Sequence, residues 1–284
     1  RFYSDSMSSV ATGYAAQYLK LAEVNNSLSN QAKAYTIFSS IHKYQVEYDI
    51  SLQYDKKALQ IFEMLNDSNN IAKQYYRIAE NYNFLHQYDS AVYYNNLEYK
   101  YYKKKNNKAR IFICKLQSGK ILCNCDSNLA AKKELIDAYE RAGQLHNSDY
   151  VGWVSYWLGL TYMKLGEFSK AKSFFIESIE VYKSANLIAS VIGSKQALGD
   201  LYLKTGEFAQ AYELFYEANQ KLAYAKGDKG EMQYYSQYYI NMGNIFYHIG
   251  KYNQALSYYD SAGKIAKTNA FSDKIALINE LKGQ

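Results

Sequence analysis

The stretch Leu158-Gly159-Leu160-Thr161-Tyr162-Met163-Lys164-Leu165-Gly166-Glu167-Phe168-Ser169-Lys170-Ala171 returns forty residues later as Leu198-Gly199-Asp200-Leu201-Tyr202-Leu203-Lys204-Thr205-Gly206-Glu207-Phe208-Ala209-Gln210-Ala211. Forty-four residues further on, the same marks are Gly243, Phe246, Gly250, Tyr252, Ala255 and Tyr259. A small residue with an aromatic three positions on lies on one helical face. The next glycine (Gly166, Gly206, Gly250) suits the left-handed residue that ends a helix. The aromatic and alanine after it open a second helix, whose face continues through Phe175, Phe215 and Tyr259. The unit is thus a helix–turn–helix hairpin that cannot bury its apolar face alone and must stack on its neighbours.

Running the phase backwards gives Gly119, Leu122, Ala131, Leu135 and Ala138, then Ala79, Tyr82, Tyr88 and Ala91, then Ser39, Tyr48, Ser51 and Ala58. The expected organisation is one solenoid over 1–284: a half-repeat at 1–31, units at 32–71, 72–111, 112–151, 152–191, 192–235 and 236–275, and the start of a further helix at 276–284. Ala11, Ala15 and Tyr18 mark the lone second helix at the front, and Ile275 to Leu281 the lone first helix at the back. The two half-units either cap the array or mark a parent chain that continues.

Composition agrees with this pattern. The chain has 284 residues, 33 Tyr and no Pro. Turn-rich β architectures lean on Pro, so its absence points to an all-helical chain. Apolar residues make up 48% and charged residues 21%, which is too apolar for a disordered polymer. No apolar run is long enough to cross a bilayer, so no membrane contact by this segment is expected. The net charge of +6 sets solubility and steering and identifies no partner.

The marks at Leu158-Gly159 through Phe175, Leu198-Gly199 through Ala218 and Met242-Gly243 through Ala262 resemble the tetratricopeptide-repeat family, as lengthened repeats of about forty residues. The family's usual period is about 34 residues, and its proline near the end of the second helix is absent here. Both departures fit longer helices. The resemblance implies an all-α, right-handed superhelical solenoid of helix-turn-helix repeats. It also implies a protein- or peptide-binding module, the sensory or scaffold part of a larger bacterial regulator. A small-peptide-sensing regulator is the alternative reading, and a nucleic-acid-binding helical repeat the remote one.

No residue set reads as catalytic, and no enzyme, cofactor or metal is expected. His42, His86, His146 and His248 stand singly. Cys114, Cys123 and Cys125 form an odd set; the first lies nine residues from the second on one helix, roughly 13 Å along its axis and too far for one metal site. Lys103, Lys104 and Lys105, interleaved with Tyr99, Tyr101 and Tyr102, have the raw material for single-strand binding. Their place at a junction reads as a solvated surface, and nucleic acid is not the expected partner. The absence of an initiator Met points to processing and an extracytoplasmic setting for a membrane-anchored parent. The unpaired cysteines favour the cytoplasmic alternative.

The family resemblance puts the first helix of each unit on the concave face. Groove residues are then Lys73, Tyr76, Glu80 and Asn83 in the second unit, and Trp153, Tyr156, Leu160 and Met163 in the fourth. Gln196 and Asp200 follow in the fifth, and Gln237, Asn244 and Tyr247 in the sixth. Trp153, Tyr156, Leu160 and Met163 form an aromatic and apolar set at helical spacing, suited to anchor a partner side chain. The alternative is that longer helices bury this set. The two-carboxylate clamp of the family's chaperone-tail binders needs Lys and Asn four apart; Asn244 has Ile240 there instead, which disfavours that partner class.

Overall fold

The computed structural model describes residues 2–222, 229–269 and 271–283, and their regular structure is α-helical with no strand. Two compact units follow each other along the chain, residues 2–165 and 166–284. The first holds α1 (Phe2–Val24), α2 (Leu28–Tyr44), α3 (Tyr48–Met64), α4 (Ser68–Phe84), α5 (Tyr88–Lys104), α6 (Lys108–Asn124), α7 (Asn128–Gln144) and α8 (Ser148–Lys164). The second holds α9 (Phe168–Ser184), α10 (Ile188–Thr205), α11 (Phe208–Leu222), α12 (Lys229–His248), α13 (Tyr252–Thr268) and α14 (Ser272–Gly283).

Within each unit every helix packs on the next in sequence. From α2 to α9 each helix has 17 residues, roughly 25 Å of rise. This is how the forty-residue period is accommodated. Turns of two or three residues join α1 to α11 in sequence and α12 to α13, and one residue in each of these turns has positive φ. These residues are Asn26, Val46, Asn66, His86, Asn106, Asp126, His146, Gly166, Asn186 and Gly206, a strict spacing of twenty, with Gly250 after the four-residue insertion. The hydrogen bonds show why. At the α2–α3 turn, Glu47 N–H donates to the His42 carbonyl at 2.9 Å and Val46 N–H to Lys43 at 3.0 Å. That is a Schellman closure, which requires a left-handed residue at its centre. The glycines seen in sequence are one solution, asparagine and histidine another. Val46, at φ 65, is β-branched and strained there.

The first helices of the units expected from 32, 72, 112, 152 and 192 begin four residues earlier, at Leu28, Ser68, Lys108, Ser148 and Ile188, and that of the unit expected from 236 begins at Lys229. Caps set these starts. The side chains of Asp67, Asn107 and Asn147 accept from the N–H groups of Asn70, Arg110 and Tyr150. The segment 223–228, which bears on the fifth unit's boundary, lies outside the described residues.

The small residues of the repeat are sites of close approach. A Cβ added at Gly119 would stand 2.4 Å from Leu135 Cγ, one at Gly199 2.4 Å from the Phe215 ring, and one at Gly243 2.4 Å from the Tyr259 ring. Each glycine thus seats the side chain sixteen residues ahead, on the next helix. Ala131, Ala171, Ala211 and Ala255 are buried as well. In the first repeat the corresponding pair is Ser39 and Asp55. Asp55 is fully buried and accepts from Arg77 Nε at 2.7 Å and Asn81 Nδ2 at 2.8 Å. A polar seam there takes the place of ring-on-glycine packing.

Candidate functional site

In the first unit α4 touches α6 and α6 touches α8, so the even-numbered helices line one face side by side. Polar side chains tie them together at separations of 37–41 residues. Gln74 Nε2 donates to Thr36 Oγ1 at 3.0 Å, Gln117 Nε2 to the Tyr76 carbonyl at 3.2 Å, and Asn124 Nδ2 to Asn83 Oδ1 at 3.1 Å. Lys164 Nζ donates to the Cys123 carbonyl at 2.7 Å, and Lys43 pairs with Glu80. The second unit repeats the device: Asn241 Nδ2 to Asp200 Oδ1 at 3.0 Å, and Lys274 Nζ to Gln237 Oε1 at 3.0 Å. These bonds hold neighbouring repeats in register along the face.

The residues read as groove-lining are distributed as follows. Trp153 is exposed at 37%, while Tyr156, Leu160 and Met163 are half-buried, so the aromatic set on α8 is not sealed in a core. Trp153 lies against Tyr150, with ring centroids 5.5 Å apart, and Tyr150 stacks on buried Phe112 at 4.4 Å. The indole is thereby braced from behind. Tyr76 is half-buried beside Glu80; burial and that carboxylate push its hydroxyl well above the usual phenol range. Glu80 lies between Lys43 and Lys120. Burial lowers Lys120, with Glu80 opposing the shift. Asn83 is buried and bonded to Asn124.

Gln196, Asp200 and Asn244 belong to the second unit. Gln196 is buried, Asp200 accepts from Asn241, and Asn244 accepts from the Tyr259 hydroxyl at 2.8 Å. Burial raises Asp200 to about 7, against the lowering effects of Asn241 and Lys274. Ile240 is fully buried in that unit's core, in keeping with a clamp that lacks its lysine.

One feature of the first unit was not visible in the sequence. A cavity of about 590 Å³ opens on the α2–α4–α6 face. Its walls carry Lys33, Lys73, Arg77 and Arg110, with Tyr18 and Tyr76, and no acidic side chain lines it. Arg77 is held by Asp55 and donates to Ser39 Oγ at 2.9 Å and the Thr36 carbonyl at 3.2 Å. Arg110 pairs with fully buried Glu98 and lies between the rings of Tyr76 and Tyr102, at 5.4 and 4.9 Å from their centroids. Burial raises Glu98 to about 7 despite that arginine. The signal available in sequence was the pair Asn30-x-x-Lys33 and Asn70-x-x-Lys73, one repeat apart. Each lysine reaches back to its asparagine, at 3.4 and 3.3 Å.

Lys103, Lys104 and Lys105 are exposed at the end of α5 and do not line this cavity; Lys103 and Lys105 lie over Tyr99 and Tyr101. His86 is an exposed turn residue bonded to the Tyr88 hydroxyl at 2.7 Å. Among the described residues no group of three His, Cys, Asp or Glu side chains converges as a metal site, and no helix is long and apolar enough to cross a membrane.

No protein-family profile and no curated protein matches the chain. Solved structures do. The Rap protein complexed with competence and sporulation factor superposes with a TM-score of 0.70 at 15% identity, over 92% of this chain and 77% of that one. NprR in complex with its cognate peptide NprX gives 0.66 at 14% identity, over 95% and 86%. A signal-transduction ATPase of Pyrococcus horikoshii with a tetratricopeptide-repeat sensor gives 0.61 at 12% identity, over 98% of this chain and 47% of that one. With hairpins of paired helices, glycine-seated rings and left-handed turns after α1 to α10 and α12, the chain has the fold of the tetratricopeptide-repeat proteins.

Proposed function

We propose that the chain is a protein- or peptide-binding module that works through the even-helix face of its first unit, as the sensory or scaffold part of a larger bacterial regulator. One observation carries the reading. One repeat position is exposed as Lys33 on α2, Lys73 on α4 and Trp153 on α8, with half-buried Ile113 between them on α6; the two lysines line the cavity, and the indole is braced from behind. A core residue would be covered at these positions, and an exposed, braced Trp on the same face as a cavity is the kind of anchor a partner side chain uses. Two structural neighbours, Rap and NprR, were solved with a signalling factor and a peptide bound, which supports a peptide-sensing form of the same reading.

We do not propose an enzyme. The groove's polar groups are tied between helices and bring no nucleophile to a general base. Nor do we propose a nucleic-acid partner, since the exposed Lys103, Lys104 and Lys105 do not line the cavity.

The test is selection of binders from a random hexapeptide display library on the purified chain. Trp153→Ala should weaken the selected peptides at least thirtyfold, which corresponds to about 2 kcal/mol for a buried anchor. Circular dichroism should be unchanged. If no peptide is enriched, or if Trp153→Ala binds as well as the parent, the reading fails.

A further inference from the structure

We infer that the α2–α4–α6 cavity takes a carboxylate of the bound peptide, so that the groove selects acidic sequences at this end. The inference rests on the peptide-binding reading above and adds the ligand's chemistry.

The charge arithmetic decides it. Four cations line the cavity, and two are already neutralised from behind, Arg77 by Asp55 and Arg110 by Glu98. Lys33 and Lys73 remain. Both are exposed, both contact only a neutral asparagine amide, and neither makes a salt bridge among the described residues. Asp67, at the cap of α4, feels the charge of Lys73, but the bonds it accepts come from Asn70. Two ammonium groups without a salt bridge, at equivalent positions of adjacent repeats, form a site for an anionic group that none of the cavity's lining side chains supplies.

The cavity wall also favours a peptide over a bare anion. Gln74 is 2% exposed and its Oε1 has no hydrogen-bond partner. Its amide orientation is fixed by its neighbour. Thr36 donates its hydroxyl proton to the Ala32 carbonyl at 3.0 Å, so Thr36 Oγ1 accepts, and the nitrogen of Gln74 must face it. The wall therefore carries an amide oxygen without a donor beside two cations without acceptors. An amide N–H next to a carboxylate is the complementary set, and a peptide supplies it. The tyrosines Tyr18 and Tyr76 give that segment apolar walls. The equivalent position two repeats on is Trp153, so the basic end and the aromatic end of the groove call for different side chains.

The test uses the same display selection on the intact chain. Enriched hexapeptides should carry Asp or Glu, and binding should weaken as salt rises. Lys33→Glu combined with Lys73→Glu should weaken acidic binders at least tenfold and, in a fresh selection, replace Asp and Glu by Lys and Arg. Trp153→Ala should lower affinity without removing the acidic preference, and Lys103→Glu with Lys105→Glu should change neither. Enrichment of peptides with no acidic preference overturns this inference and leaves the binding module standing. No enrichment at all overturns the module itself. Binding of a single-stranded oligonucleotide lost in the Lys33/Lys73 variant would assign the cations to phosphates and overturn the inference in favour of nucleic acid.

Discussion

Gly199 and Gly193 lie six residues apart on α10, and the same substitution should have opposite signs at the two positions. At Gly193 an added Cβ meets nothing within 4 Å. Gly193→Ala should therefore gain the helix-propensity difference, about 0.5–1 kcal/mol. At Gly199 the Cβ would stand 2.4, 2.7 and 2.9 Å from three carbons of the Phe215 ring. Ordinary contact starts near 3.4 Å, so the ring must retreat by roughly 1 Å. It has no space, because Phe215 is 1% exposed and belongs to a packed cluster with Ala211, Met242 and Ile245. Overpacking of this kind costs about 1–3 kcal/mol. After the propensity gain, Gly199→Ala should lose roughly 1–2 kcal/mol, or a few degrees in Tm for a unit of this size. The assay is urea unfolding followed by far-ultraviolet circular dichroism, with hydrogen exchange on α10 to assign the transition, since repeat arrays need not unfold in one step. If Gly199→Ala is as stable as the parent, the glycine does not seat the ring and the packing argument is wrong.

Val46→Gly should raise stability by up to about 1 kcal/mol in thermal melts, because it relieves a β-branched residue at φ 65 while sacrificing little packing at an exposed turn. Arg77→Ala should cost about 3–5 kcal/mol in urea unfolding, since it leaves Asp55 buried and without its cation. Asp200 is raised to about 7, above its unfolded value, so the folded state holds that proton more tightly. Its contribution is therefore greatest below the unfolded value and is lost as pH rises through about 7, at no more than about 1.4 kcal/mol per pH unit. Asp200→Asn should flatten the pH dependence of the second unit's unfolding midpoint over that window.

The phase of the repeat was legible because Gly159, Gly199 and Gly243 recur with their aromatics, and Gly199 and Gly243 answer a local need for close approach. Helix starts were less legible, because those glycines mark the middle of a helix and not its cap; Asp67, Asn107 and Asn147 carried the boundary information instead. The twenty-residue rhythm of left-handed turns was partly hidden, since Gly, Asn, His, Asp and Val all fill the same conformation. The polar ladder was illegible for a different reason. Thr36 with Gln74, Asn83 with Asn124 and Asp200 with Asn241 lie 38 to 41 residues apart and share no single residue type, so no pattern search over one chain finds them. Glu80 and Asn83 stand on α4, Asp200 on α10 and Asn244 on α12, and each carries an internal bond, so what they offer a ligand is only what those bonds leave.

The buried charges of the first repeats make sense only when the core and the groove are considered together. Asp55 sits where the last three repeats place Phe175, Phe215 and Tyr259, and Glu98 is likewise buried on a second helix. Each reaches an arginine on the following first helix, Asp55 to Arg77 and Glu98 to Arg110, and both arginines line the cavity. As stabilising devices these pairs are poor, since well-packed apolar residues of similar volume commonly do as well or better than a buried ion pair. Phe215 on Gly199 shows that this same framework can use that apolar solution. What the carboxylates supply instead is position. A guanidinium at the cavity wall with only solvent around it would sample many rotamers, whereas Arg77 is fixed by Asp55, Ser39 and the Thr36 carbonyl, and Arg110 by Glu98 and two tyrosine rings. Because each repeat contacts only its neighbours, the change from an apolar to an ionic interior stays local and leaves the packing of later repeats untouched. The first repeats thus give up core packing to hold two cations still at the groove wall, and the lysines that remain unpaired beside them are the ones left to meet a ligand.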